Sequence, residues 1–92
     1  MIRSFRSAET KAIQEGFGAR RFSGIEEQAR KRLRWLEAAT SLADLRAIRG
    51  NRLEALKGDR AGQHSIRVND RWRICFSWRG GHAYDVEIVD YH

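Results

Sequence analysis

The apolar positions of the chain change period once, near Gly50. Before it they recur at helical spacing, and after it they alternate. At 100° per residue Ile25, Ala29, Leu33 and Leu36 share one face, flanked by Trp35 and Ala39, which predicts an amphipathic helix laid on a core. Ser23, with Glu26 three residues on, has the spacing of a capping box and would open that helix. On its outer side Glu26 with Arg30 and Glu27 with Lys31 stand four residues apart, a spacing that would offset part of the basic run over residues 30–34. Arg32 falls in the middle of the apolar stripe and needs a partner there. Ser7 suits the N-cap of an earlier helix over residues 8–15, which Gly16 and Gly18 would break. Ser41 and Asp44 repeat the cap spacing ahead of a third short helix that carries Leu42, Leu45 and Ile48 and ends at Gly50. Residues 2–5 read as a short first strand.

The second half reads as antiparallel sheet. Residues 63–68 predict a strand, with Asn69 and Asp70 as its turn. Over residues 71–79 Trp72, Ile74, Phe76 and Trp78 point one way, and Arg71, Arg73, Cys75, Ser77 and Arg79 the other. Gly80-Gly81 makes the next turn, and residues 82–89 alternate again, with Tyr84, Val86 and Ile88 opposed to Asp85 and Glu87. Residues 53–56 suit a further strand leading into the turn Lys57-Gly58-Asp59-Arg60. The expected architecture is α+β: a small twisted antiparallel sheet with helices packed on one face and an open, cationic, concave face on the other.

Length sets one domain over residues 1–92. The 18 Lys and Arg against 12 Asp and Glu give a net charge of +6, which suits a polyanionic partner but also ordinary solubility. The excess is uneven: residues 1–50 hold 11 basic against 6 acidic side chains, residues 51–92 hold 7 against 6. Lys11, Lys31 and Lys57 are the only lysines, and arginine is the better bidentate partner for phosphate and for carboxylate. No apolar run approaches the roughly 20 residues of a membrane span, and the opening residues lack the apolar core of a signal peptide. Cys75 is the only cysteine, which excludes an internal disulfide and a zinc cluster and makes a reducing cytosol the simplest compartment.

His64, His82 and His92 fall at no recognised metal-ligand spacing, and neither a phosphate loop nor a nucleophile elbow is present. A metal-free chemistry suited to an open cationic face is RNA cleavage by the 2′-hydroxyl. It takes a base, positive charge on the phosphorane and an acid for the leaving oxygen. Side chains of those types gather at Lys57, Arg60, Arg71, Arg73, Asp90, Tyr91 and His92. Each has a plainer reading. Lys57, Asp59 and Arg60 suit a surface turn, Arg73 a cross-strand ion pair with Asp85 or Glu87, and the last three residues a frayed end. His64 and His82 suit surface strand positions, and Cys75 a small residue packed in the sheet.

Taken together, Leu56-Lys57-Gly58-Asp59-Arg60, Ser65-Ile66-Arg67-Val68-Asn69, Trp72-Arg73-Ile74-Cys75-Phe76 and Asp85-Val86-Glu87-Ile88-Val89-Asp90-Tyr91-His92 resemble the HigB branch of the RelE-like toxins, and the opening Ile2-Arg3-Ser4-Phe5 fits as well. The resemblance implies a RelE-like fold and a toxin of a bacterial type II toxin–antitoxin pair. It implies an enzyme that cuts messenger RNA on the ribosome, without a metal or cofactor, in the cytoplasm. It further implies a HigA-type helix-turn-helix antitoxin, through which alone operator DNA is met. By position Lys57, Arg73, Asp90, Tyr91 and His92 match the family's proposed active-site region, and Arg60 and Arg71 join them as RNA-binding residues. Where some members carry a histidine before the Leu-Lys-Gly-Asp-Arg run, this chain has Glu54, a base that would repel phosphate, or else the partner of a neighbouring arginine such as Arg52. The rival reading is a non-enzymatic module that binds RNA or protein, such as a degenerate toxin kept as co-repressor.

Overall fold

The computed structural model describes residues 1–90. Among these, four antiparallel strands pair in sequence order: β1 (Glu54–Ala55), β2 (Gln63–Arg67), β3 (Trp72–Arg79) and β4 (His82–Asp90). Tight connections dictate that order. Gly80 and Gly81, at φ 56° and 81°, turn β3 into β4 in a backbone region that suits glycine. Between β2 and β3 the side-chain oxygen of Asn69 accepts the N–H groups of Arg71 and Trp72 at 2.9 and 2.8 Å.

Three helices, α1 (Ala8–Gln14), α2 (Glu26–Ala38) and α3 (Leu42–Ala47), accompany the sheet. Ser7 caps α1, its hydroxyl accepting the Thr10 N–H at 3.1 Å. Ser41 and Asp44 form the expected capping box of α3. Ala29, Leu33 and Leu36 of α2 are buried with Ile13, Ile66, Ile74, Phe76, Val86 and Ile88 in one core, so the helices cover the Trp72–Phe76 side of the sheet. Arg32 finds its partners at the edge of that core: its Nε donates to the Arg67 carbonyl at 3.0 Å and its guanidinium lies 4.6 Å from the Trp35 ring centre. Burial, and then the neighbouring Arg67, lower its pKa.

Several expectations give way to packing. Ser23 does not open α2. A 3-10 turn at Arg20–Phe22 first drives Phe22 into the core, edge-on to Trp72 at 5.4 Å, and Gly24 at φ 89° turns the chain. The helix starts at Glu26, whose carboxylate takes the Gly24 N–H at 2.9 Å rather than pairing with Arg30; Arg30 reaches back to the Ile13 carbonyl at 2.8 Å. The third helix stops at Ala47, and Gly50 falls inside the 3-10 turn Arg49–Asn51. Strand β1 keeps only two of the four residues expected, and β2 stops at Arg67, one residue short. Residues 2–5 make two isolated parallel bridges to β4, Ile2 with Ala83 and Phe5 with Val86, in place of a strand. His64 and His82, expected at the surface, are half-buried, His64 stacked on Phe76.

The alternation of β4 is broken. Cys75 pairs with Glu87 but Ser77 with Tyr84, so two steps of β3 face three of β4, and Asp85 takes the extra position at φ 54°. The bulge reverses the phase beyond it. Ala83, not Tyr84, enters the core, and Tyr84 stands opposite Ser77 with the Arg79 guanidinium 4.1 Å from its ring centre.

Candidate active site

On the face away from the helices the register sets one row across all four strands: Glu54, Ser65, Cys75 and Glu87. Beside it Arg73 lies opposite Arg67 and Val89. The face is not the open cationic surface expected, because Glu54 and Glu87 share it and Arg73 is only 9% exposed. Arg73 donates from Nε to the Ser65 hydroxyl at 2.7 Å and from one terminal nitrogen to the Arg52 carbonyl at 2.7 Å. Arg52 offers that carbonyl from a left-handed backbone, φ 44°, uncommon for a residue with a side chain. The ion pair expected between Arg73 and Glu87 is replaced: Glu87 takes Arg60 at 3.2 Å.

The run Leu56-Lys57-Gly58-Asp59-Arg60 closes one end of this face. Gly58, at φ 64°, opens a 3-10 turn over Gly58–Arg60 that leaves Lys57 exposed. Lys57 and Arg60 line an open cleft of about 410 Å³ with Glu54, Ala55, Leu56 and Asp59. Arg60 is held in place, donating to the Gln63 side-chain oxygen at 3.0 Å and to Glu87. Arg71 and Asp90 meet at the far end of the sheet, where two nitrogens of Arg71 donate to one carboxylate oxygen at 2.9 and 2.7 Å. Hydrogen bonding to Asp90, and then its charge, raise the Arg71 pKa. Asp90 pairs with Trp72, and directly opposed residues share a face, so Asp90 lies on the Trp72 side of the sheet and Arg73 on the other.

The structure therefore brings Lys57 and Arg60 together, sets Arg73 within the adjoining face, and engages Arg71 with Asp90. Tyr91 and His92 lie outside the described residues. Sequence reasoning missed Ser65 and Arg52 as the holders of Arg73. Alternation put Arg73 on one face of its strand, but only the β2–β3 register brings Ser65 beside it. Among the described residues no group of three or more His, Cys, Asp and Glu side chains comes together as a metal site requires.

Two expectations follow from this geometry. Ser65→Ala strips a partner from a buried guanidinium and is expected to lower stability by about 1–3 kcal/mol, read as a drop in the urea midpoint. An unchanged midpoint would show that the 2.7 Å contact carries no stability. Cys75 is fully buried, and burial pushes its thiol up against the pull of Arg60. Native Cys75 should react with a thiol reagent far more slowly at mildly alkaline pH than in denaturant. Its raised folded pKa adds stability that is full below the unfolded value and lost as pH rises through the folded one. Equal reaction rates in the native and denatured protein would contradict this.

A family model described as the RelE-like toxin of the type II toxin–antitoxin system HigB matches residues 10–92. The chain belongs to that family. Toxin HigB-1 of Vibrio cholerae serotype O1 is 44% identical over 66 residues, covering 72% of this chain and 70% of the relative. The protein named Endoribonuclease HigB of Proteus vulgaris is 37% identical over the full length of both chains. Among solved structures, a YoeB–YefM complex from Staphylococcus aureus contains a chain that superposes with a TM-score of 0.58 at 17% identity, covering 100% of this chain and 98% of that one. A second, heterotetrameric YoeB–YefM toxin–antitoxin complex from the same organism gives 0.57 at 16% identity, with the same coverage. The α+β fold of this HigB-family toxin is thus the RelE-like one, and a toxin of a type II system is paired with an antitoxin. Among the described residues no helix is long and apolar enough to cross a membrane.

Proposed function

We propose that this HigB-family toxin is an endoribonuclease that cuts messenger RNA on the ribosome, in the cytoplasm, without a metal ion or cofactor. Its antitoxin is of the HigA helix-turn-helix type, and it meets operator DNA only through that antitoxin. The observation that carries the reading is the exposed Lys57 placed in one open cleft with the fixed guanidinium of Arg60.

In the reaction a base takes the proton of the RNA 2′-hydroxyl, the 2′-oxygen bonds to phosphorus, and the 5′-oxygen leaves and is protonated by an acid. Positive charge must meet the phosphorane where negative charge builds up. Lys57 supplies it directly, with Arg60 beside it. Arg73, buried and hydrogen-bonded, acts as a fixed charge behind the phosphate. His92 is the acid or base, and Tyr91 stacks on a base. Asp90, held by Arg71 on the Trp72 side of the sheet, braces the end of β4 that leads to His92. The strained carbonyl of Arg52 and the Ser65 hydroxyl set the position of Arg73.

The test is induced expression without antitoxin, followed by mapping of messenger RNA 5′ ends. New ends inside coding sequence, growth arrest, and relief of both by the antitoxin are expected. Normal growth with soluble toxin present, and no new ends, would leave the non-enzymatic co-repressor.

A further inference from the structure

Arg60 lines two clefts. The first holds Lys57. The second, of about 440 Å³, shares Asp59 and Arg60 with it and is otherwise walled by Arg6, Ala61, Gln63 and Ser77. We propose that this second cleft is a nucleobase-recognition subsite, which takes one base of the RNA next to the nucleotide being cut and sets the preferred cleavage sites. The inference rests on the endoribonuclease reading above.

Its size lies within the range of small-molecule sites. Its chemistry separates a base from a phosphate. A phosphate uses donors and positive charge alone, and Asp59 lines both clefts, so what sets the second apart is the Gln63 amide and the Ser77 hydroxyl. A base edge carries both acceptors and donors, and this wall offers both: guanidinium, amide and hydroxyl donors, with carboxylate and hydroxyl acceptors. The hydrogen bond of Arg60 also settles which way Gln63 faces. Arginine only donates, so the oxygen of the Gln63 amide must meet it, at 3.0 Å, and the NH₂ end is presented on the other side. That end reads an acceptor on a base, and Asp59 reads an exocyclic amine. Arg60 is itself pinned between Gln63 and Glu87, and Arg6 comes within 4.0 Å of the same Glu87 carboxylate. The wall is therefore held before RNA arrives, and prior order favours discrimination. Because Arg60 and Asp59 belong to both clefts, a strand lying over Lys57 continues past Arg60 into the second cleft without leaving the surface.

The test compares cut sites made by the parent, Gln63→Leu and Ser77→Ala toxins, by 5′-end mapping after induction, with the melting temperature of each checked. Gln63→Leu keeps the bulk of the side chain and loses the amide. Cleavage at the parent's preferred sites is expected to fall roughly tenfold or more towards the level of its other sites, so that the base preference at one flanking position flattens. Ser77→Ala, beside Gln63 in the β2–β3 pair, should shift the same position, and it carries the test alone if Gln63→Leu does not fold. Folded variants that keep the parent's site preference overturn the subsite while leaving the ribonuclease standing. Weakened neutralisation by the antitoxin with unchanged cut sites also overturns it, by assigning the cleft to protein contact. A parent that cuts no RNA overturns both readings.

Discussion

Changing His92 to glutamine is expected to abolish RNA cleavage and growth arrest while leaving ribosome and antitoxin binding intact. An unperturbed imidazole titrates near pH 6.5, so it trades a proton at neutral pH without help. Ammonium, guanidinium, carboxyl and phenol groups ordinarily titrate well away from neutral pH. The strand that leads to His92 is secured before it is reached: Ile88 is buried, its N–H donates to the Thr10 hydroxyl at 3.1 Å, and Asp90 is held by Arg71. A change two residues beyond Asp90 should therefore spare the fold. Loss of a general acid or base typically costs about 10²–10⁴-fold in rate. Single-turnover cleavage on programmed ribosomes reads the effect directly. A variant that cleaves within a few-fold of the parent would move the proton transfer to Glu54 or Asp90.

Lys57→Ala should be nearly as severe. The Lys57 side chain makes no cap bond to the turn it precedes, so its removal should not disturb Gly58–Arg60. What it removes is the exposed cation nearest the proposed phosphate position. Loss of one such group costs about 10²–10³-fold in rate. Affinity for ribosomes should fall too, with the slope against the logarithm of salt concentration shallower by about one. Lys57→Arg should restore the salt slope. If Lys57→Ala retains the parent's rate and slope, the first cleft is not where the phosphate sits.

The fold was largely legible because its signals are local. The Ser41 and Asp44 capping box, the 3.6-residue period of α2 and the glycine pair at the β3–β4 turn each act within a few residues. What was not legible depends on contacts far apart in the chain. The bulge at Asp85 appears only when β4 is laid on β3, and it put Tyr84 on the face that alternation denied it. Phe22 moved the start of α2 because it packs against Trp72, fifty residues away. The site divides in the same way. Lys57 and Arg60 stand on a turn whose glycine is readable, and both line one cleft. Arg71 and Arg73 look alike in the sequence, yet one lies on the surface with Asp90 and the other is buried against Ser65. That difference follows from strand register and neighbouring backbone, which no residue type announces.

The bridges of Ile2 to Ala83 and Phe5 to Val86 bear on how the toxin comes into being. Synthesis delivers residues 2–5 first and their partners some eighty residues later. Until β4 has left the ribosomal exit tunnel, the opening segment has no strand to join and β3 has no neighbour on that side. Pairings so distant in the chain form late. A nascent copy therefore cannot complete its sheet, or seat its opening segment, before β4 has emerged.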